Sequence, residues 1–248
     1  MNMKITLVTC TSLFLFAFTC ESNKKEDNSS MKSELNQVMV ENVKLAEDFE
    51  GKLDELLTLE MAAETSGYPA SEAKKSPDSD IEKKYNKISI SYSWDKTNRS
   101  QQIEMMGRKM DVPVNDEVTL SWVENITLDG FKKKYHNLTE AEIEASNQGI
   151  NEKTAEMNSE GKATQEQTDM AKSIAENAMK NFSVEEVTNV GDYAVFVNQK
   201  FAGVPTRELK VFYKGLSFSL LVNLSEDASY NDKKAIALAQ KIINEKLN

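Results

Sequence analysis

The sequence predicts an α+β fold in which antiparallel sheet meanders pack against amphipathic helices. Three observations lead to this prediction. Short segments in the first half and in the last third of the chain alternate apolar and polar residues, which is the period of a strand with one buried face. The last of these segments, 216–224, follows Lys214-Gly215, a dipeptide typical of a tight hairpin turn. Beyond it, apolar residues recur at helical spacing, so one amphipathic helix is expected to cover the meander.

Residues 1–19 have the layout of a secretory signal peptide. Lys4 and the amino terminus are positively charged, and the uncharged, mostly apolar run 5–18 follows them. A transmembrane helix needs about 20 apolar residues, so this run is too short to span a bilayer comfortably. We therefore expect residues 1–19 to be removed during export.

The end of this segment, AFTC at 17–20, resembles the lipobox of bacterial lipoproteins, although Ala17 and Thr19 differ from the residues that are usual there. The resemblance implies that Cys20 becomes the first mature residue and carries more than one acyl chain, since a single chain binds a bilayer only marginally. Cys10 would leave with the leader, so no internal disulfide is expected. The alternative is an ordinary signal peptide followed by an incidental cysteine.

The charge of the chain restricts its partners. Its 248 residues include 40 Asp and Glu against 30 Lys and Arg, which gives a formal net charge of −10 at pH 7. This balance argues against nucleic acid and against electrostatic binding to anionic lipid.

The expected partners are the membrane, through the lipid on Cys20, and an unknown protein or small-molecule ligand. The expected location is the bacterial cell envelope, as an outer-membrane lipoprotein facing the periplasm or the cell surface.

Four segments follow the leader. The sequence predicts a flexible polar tether at 20–33, an N-terminal α+β half at 34–136, a polar helical segment at 137–181, and a C-terminal β-meander with a final helix at 182–248. Each half can be read as one helix, three strands and a second helix, which suggests a degenerate internal duplication.

The N-terminal half is predicted to begin with an amphipathic helix over 35–57. Thr58 is the expected cap of a second, short helix and Gly67 its expected end. A loop is expected at 70–86, and Asp129 is the expected cap of a further short helix. Strands are predicted at three places: 88–94, 103–108 and 118–122.

Residues 137–181 are rich in Glu, Gln, Asn and Ala and poor in large apolar side chains. We expect a mostly exposed helix, a loop near Gly161 and then a better-packed helix. Two capping boxes predict where the helices begin: Thr139 with Glu142, and Thr164 with Gln167.

The last third of the chain carries the clearest strand patterns. Gly203-Val204-Pro205 is the expected first turn, and a capping box of Ser229 with Asp232 is expected to start the final helix. The predicted strands are 193–198, 209–213 and 216–224. The final helix is expected to bury five apolar residues: Ile236, Ala239, Ile242, Ile243 and Leu247.

Two stretches resemble a group of bacterial lipoproteins. LLTLEMA at 56–62, with Ser-Gly at 66–67, is similar to the opening of the actinobacterial DUF3558-like lipoproteins. VGDYA at 190–194 is similar to their ending, together with three later residues: Leu209, Gly215 and Phe218. The resemblance implies little about activity, since that group has no settled one. This chain also departs from the group, because it has no mature cysteine besides Cys20.

No motif of an enzyme or a metal site stands out. His136 is the only histidine, and one imidazole without further His or Cys ligands is a poor zinc site. The run Asp78, Asp80 and Glu82 imitates the start of a calcium loop, but the required glycine and terminal glutamate are missing. We therefore expect no metal, no cofactor and no catalysis, with His136 at the surface.

Five residues form the candidate ligand or partner patch. Trp94 and Trp122 end two predicted strands, and paired aromatic side chains can floor a pocket. Met105, Met106 and Met110 lie between them in the chain, and methionines make adaptable apolar surfaces. The alternative is that all five belong to the core. The expected function is a non-catalytic binding or scaffolding module, and the alternative is a carboxylate-dependent periplasmic or surface hydrolase.

Overall fold

The computed structural model has the predicted α+β fold. It describes residues 44–77, 88–96, 99–105, 108–201 and 204–248. The predictions about the leader, Cys20, the tether and the start of the first helix lie outside these residues. So do the acidic run 78–82, Met106 and Gly203.

Nine strands are present in the described residues. In chain order they are β1 Lys74–Ser76, β2 Ser89–Trp94, β3 Ser100–Met105, β4 Arg108–Pro113, β5 Asp116–Asn125, β6 Ser183–Val187, β7 Tyr193–Phe201, β8 Val204–Tyr213 and β9 Leu216–Asn223. The α-helices are α1 Leu53–Leu56, α2 Leu59–Ser66, α3 Leu128–Lys134, α4 Glu140–Ser159, α5 Gln165–Lys180 and α6 Ala228–Ile242, which continues as a π-helical turn, Ile243–Leu247.

Seven strands form one antiparallel sheet in the order β1-β2-β5-β9-β8-β7-β6, and β3 pairs with β4 in a separate ribbon. The four C-terminal strands are a meander, so β9 reaches the middle of the sheet and pairs with β5 from the N-terminal half. Strands from both halves therefore share one sheet. The β3–β4 ribbon is inserted between β2 and β5, which are themselves neighbours.

One face of the sheet, called the core face below, is covered by α1, α2 and α6. Its buried side chains alternate along the strands, as a strand with one buried face requires. They include Ile90, Tyr92 and Trp94 on β2, Val118 and Leu120 on β5, and Leu216, Phe218, Leu220 and Val222 on β9. Ile88 was expected to join them, but it precedes β2 and is exposed.

The opposite face holds a second, smaller core under α3. Phe131 is fully buried there, and it packs against side chains of the meander: Val195, Val197 and Phe212. Because α3 covers this part of the sheet, the meander is buried on both faces here. Ser217 and Ser219, which alternate with the apolar residues of β9, are buried as well.

The predicted helix over 35–57 is wrong in its described part. A 3-10 turn, Ala46–Phe49, and the single turn of α1 take its place. Gly51 separates them with φ +73, a left-handed conformation that an α-helix does not contain. The predicted loop at 70–86 is also partly wrong, since it contains a 3-10 turn, Ala70–Glu72, and the edge strand β1.

Some predicted helix caps are confirmed and others are not. Thr58 accepts a hydrogen bond from the Met61 N–H, and Gly67 ends α2 with φ +79. Thr127 caps α3 instead of Asp129, and Asp227 caps α6 instead of Ser229. Both true caps lie two residues earlier, so their side-chain oxygens reach the free N–H groups of the first turn.

The polar helices follow the sequence prediction closely. Both capping boxes form, at Thr139 with Glu142 and at Thr164 with Gln167. No residue of α4 is buried, and the main neighbour of α4 is α5, with which it forms a hairpin. The strands β4 and β6 were not predicted, because neither shows a sustained apolar alternation.

Replacing Gly191 with alanine is expected to destabilise the fold by about 2–3 kcal/mol, through backbone strain and a clash. Gly191 has φ +57, and an added Cβ would lie 2.5 Å from the Phe212 carbonyl oxygen. Gly161 is a matched control, since it has φ +66 and nothing within 4 Å of an added Cβ. Gly161→Ala is expected to cost only about 1 kcal/mol. Urea titrations of both variants compare the two, and equal midpoints would contradict the clash.

Candidate functional site

The structure does not bring Trp94 and Trp122 together. Their strands are neighbours, but β2 and β5 run antiparallel, so Trp94 lies opposite Asp116 and Ser89 lies opposite Ser121. The two tryptophans therefore stand at opposite ends of the strand pair. Trp94 is fully buried, and its indole Nε1 donates to the Pro69 carbonyl at 3.0 Å.

Trp122 is turned away from the core by a β-bulge. The register of β5 against β9 shifts between Ser121 and Glu124, and Trp122 has φ +54. The extra residue interrupts the alternation, so Val123 packs against the core and Trp122 stays 44% exposed. The expectation that Trp122 shares a buried face with Leu120 is therefore wrong.

Met105 and Met110 lie on the β3–β4 ribbon and not beside Trp122. Met105 pairs with Arg108, and Met110 pairs with Ile103, all within that ribbon. Met110 and the neighbouring Val112 are exposed. The five residues of the predicted patch thus do not form one surface in the described part of the chain.

A pocket of about 390 Å³ opens instead where α1, α2, β1 and β2 meet. Tyr92 of β2 is almost completely buried at this site, and Lys75 of β1 is its direct strand partner. The lining residues are Asp54, Thr58, Leu59, Glu60, Ala73, Lys75 and Tyr92. Two carboxylates, one ammonium group and one phenol thus meet around a small apolar surface.

Both carboxylates of the pocket lie in the first turn of a helix. Asp54 lies in the single turn of α1, and Glu60 lies in the first turn of α2, whose cap is Thr58. The backbone N–H of Glu60 and the Thr58 side chain hold the pKa of the Glu60 carboxyl below its usual value. Glu60 is therefore ionised throughout the neutral pH range.

Charges in the pocket also act on Tyr92. Burial raises the pKa of Tyr92 to about 12, and the charges of Asp54 and Glu60 add to this effect. Lys75 Nζ donates to Asp54 Oδ2 at 2.6 Å and offsets part of the negative charge. Tyr92 is therefore a neutral phenol at pH 7, in a site with negative potential.

Two buried polar clusters lie elsewhere. Asp116 is fully buried, where it pairs with Arg99 and accepts a hydrogen bond from the Tyr68 hydroxyl at 2.7 Å. Lys210 Nζ donates to Ser219 Oγ at 2.9 Å and also pairs with Glu208. A serine–lysine pair can act as a nucleophile and base. Here Ser219 is 2% exposed and Lys210 is held by a carboxylate, so the pair is a structural contact.

His136 is partly exposed on the surface. Its Nε2 lies 2.9 Å from an oxygen of Glu142, the capping-box residue of α4. The Thr139 backbone N–H, the Thr139 hydroxyl and His136 lower the pKa of Glu142 to about 2. The imidazole thus supports a helix start. No three His, Cys, Asp or Glu side chains in the described part of the chain are grouped to hold a metal ion.

A carboxyl group with a raised pKa would be a candidate general acid, because it could keep its proton closer to neutral pH. Burial raises the pKa of the Glu117 carboxyl. Glu117 lies on β5 opposite Asn223 and Ser93, outside the Tyr92 pocket. The raised pKa of Glu117 therefore does not supply a general acid to the Tyr92 pocket.

Sequence reasoning missed the Tyr92 pocket because its walls come from four separate elements, one of which, β1, was predicted as a loop. The alternation that placed Tyr92 on a buried face was a usable indication of one wall of this pocket.

Comparisons of the chain with protein-family models, with curated proteins and with solved structures found no match. No helix among the described residues is long and apolar enough to cross a membrane.

Proposed function

We propose that this protein is a lipid-anchored lipoprotein of the bacterial cell envelope, and that its folded domain is a non-catalytic binding module. The anchor rests on the leader and on the lipobox-like residues that end at Cys20. The Tyr92 pocket is the proposed ligand site, because a concave surface with a few converging polar groups is typical of binding sites. This pocket is the single observation that carries the binding role.

The charges around the pocket favour a ligand with a cationic group. Asp54 and Glu60 are both at its rim, and Lys75 offsets one of the two negative charges. The Tyr92 hydroxyl is neutral at pH 7, so it adds a hydrogen bond without repelling a cation. An amine or guanidinium group on a small apolar body would satisfy both the charge and the apolar lining.

A carboxylate-dependent hydrolase is the second candidate, because the pocket does contain two carboxylates. Such an enzyme needs one carboxyl of raised pKa to donate a proton. The pKa of Glu60 is lowered, and Asp54 is engaged by Lys75. These contacts favour binding over catalysis.

Glu60→Gln is expected to weaken the binding of small organic cations roughly two- to fivefold, since it removes one solvent-screened negative charge from the rim of the pocket. Titration calorimetry with arginine methyl ester and with a neutral analogue of the same size measures the effect. Glu55→Gln is the matched control, because Glu55 is exposed on α1 and does not line the pocket. Equal binding of the cation and the neutral analogue would contradict the proposed ligand class.

Cys20→Ser is expected to release the protein from membranes without unfolding it, because the proposed anchor is covalent lipid on that residue. Membrane and soluble fractions of cells that express the variant are compared with wild type by immunoblotting. Cys10→Ser is the control, and it should leave the protein in the membrane fraction. A Cys20→Ser protein that still sediments with membranes would rule out the anchor.

A further inference from the structure

Trp122 and Ile88 form an exposed apolar pair at one end of the sheet. Trp122 is 44% exposed and Ile88 is 49% exposed. They are adjacent, since the Trp122 backbone N–H donates to the Ile88 carbonyl at 2.9 Å. Large aromatic side chains are usually well buried, so this pair needs a reason to face outward.

The backbone holds Trp122 outside the core. A left-handed φ costs a non-glycine residue about 1–2 kcal/mol, and such strain is common where a side chain has a task. Trp122 adopts φ +54 at the bulge of β5, while Val123 takes the neighbouring place in the core. A regular strand would have buried Trp122 without this cost.

The pair lies close to the first residues that the structure describes. The Ala46 N–H donates to Asn125 Oδ1 at 2.9 Å, and Asn125 is three residues beyond Trp122 on β5. Residues 21–43 connect this point to Cys20, and 23 residues span at most about 80 Å. A tether of this length lets this end of the domain reach the bilayer that would hold the lipid of Cys20.

We propose that Trp122 and Ile88 insert into the interfacial region of the bilayer that holds the lipid of Cys20, an inference that rests on the proposed anchor. Tryptophan prefers the membrane–water interface, because its ring is apolar and its N–H can stay hydrated. The adjacent Glu124 is paired with Lys134, so no unpaired charge of that pair opposes insertion.

The contact orients the domain and does not anchor it. Two side chains remove little apolar area from water, and even one acyl chain binds only marginally. Tethering converts this weak contact into an intramolecular one at high effective concentration. Because the two side chains are apolar, the contact should not weaken as salt is raised.

Fluorescence can isolate Trp122, because the chain has only two tryptophans and Trp94 is fully buried. The lipidated full-length Trp94→Phe chain is reconstituted into phosphatidylcholine vesicles with brominated or ordinary acyl chains. The expected result is loss of Trp122 emission in the brominated vesicles and a shift of its maximum to shorter wavelength, both unchanged by salt. Equal emission in the two kinds of vesicle would overturn the inference.

Two controls separate the possible failures. Sedimentation of the vesicles is measured first. A lipidated chain that does not sediment with them contradicts the anchor, and so overturns the proposed function and this inference together. Sedimentation without quenching overturns the inference alone. If Trp94→Phe does not fold, wild type is compared with Trp122→Phe, and quenching should disappear in the variant. A different outcome is that the Cys20→Ser chain self-associates and that adding Trp122→Ser abolishes this association. The exposed pair would then be a contact with a second copy of the chain, and the membrane inference would be overturned.

Discussion

Replacing Ile242 with alanine is expected to lower the free energy of unfolding by about 2–5 kcal/mol. Ile242 lies near the end of α6 and is fully buried in the cluster that contains Phe218 and Leu220 of β9. The substitution removes apolar contacts and leaves a cavity that the close-packed surroundings fill only in part. Since α6 is the main cover of β8 and β9, the loss falls on the centre of the sheet.

Thermal unfolding followed by circular dichroism measures this effect. For a domain of this size the midpoint should fall by roughly 5–20 °C. Ile236→Ala is the matched control, because Ile236 lies on the same helix but is only partly buried. Its midpoint should fall clearly less. An unchanged midpoint for Ile242→Ala would refute the packing of α6 on the core face.

Asp116→Asn is expected to destabilise the protein by about 3 kcal/mol. The Asp116 carboxylate is fully buried, with Arg99 on one oxygen and the Tyr68 hydroxyl on the other. Removing the negative charge takes the Asp116 counter-charge away from the largely buried Arg99 guanidinium, which is the costly way to break a buried pair. Arg99 also donates to the Asn223 side chain at 3.2 Å, so the effect should reach the end of β9.

Denaturant titration of three variants tests the Asp116 cluster. Tyr68→Phe removes one hydrogen bond to the charged carboxylate and should cost about 1.5–3 kcal/mol. Glu156→Gln makes the same acid-to-amide change in an exposed pair with Lys153, and it should leave the unfolding midpoint nearly unchanged. An Asp116→Asn protein as stable as the Glu156→Gln protein would show that the cluster contributes little.

Local patterns predicted many elements of the fold. The alternation of β2 and the β8–β9 hairpin were correctly predicted, as were the capping boxes of α4 and α5. These features depend on residues that lie within a few positions of each other, so the sequence displays them directly. The edge strands β1 and β6 were missed because an edge strand needs little apolar alternation, and its partner supplies the pairing.

The candidate site was predicted poorly. The predicted patch assumed that Trp94 and Trp122 stand side by side because both end a strand. Antiparallel pairing separated them, and a bulge turned Trp122 outward. The pocket at Tyr92 joins Asp54 and Lys75 from elements that are distant in the chain. Neither the pairing direction nor the position of a bulge can be read from the period of a single strand.

The sequence by itself determined the α+β class, the period of the main strands and the amphipathic cover by α6. Each of these follows from side chains that repeat at the spacing of a strand or a helix. Only the tertiary structure decided that both halves share one sheet, that Asp116 is buried with Arg99, and that Trp122 faces outward. These outcomes depend on pairing between residues far apart in the chain, and local propensity carries no information about such partners.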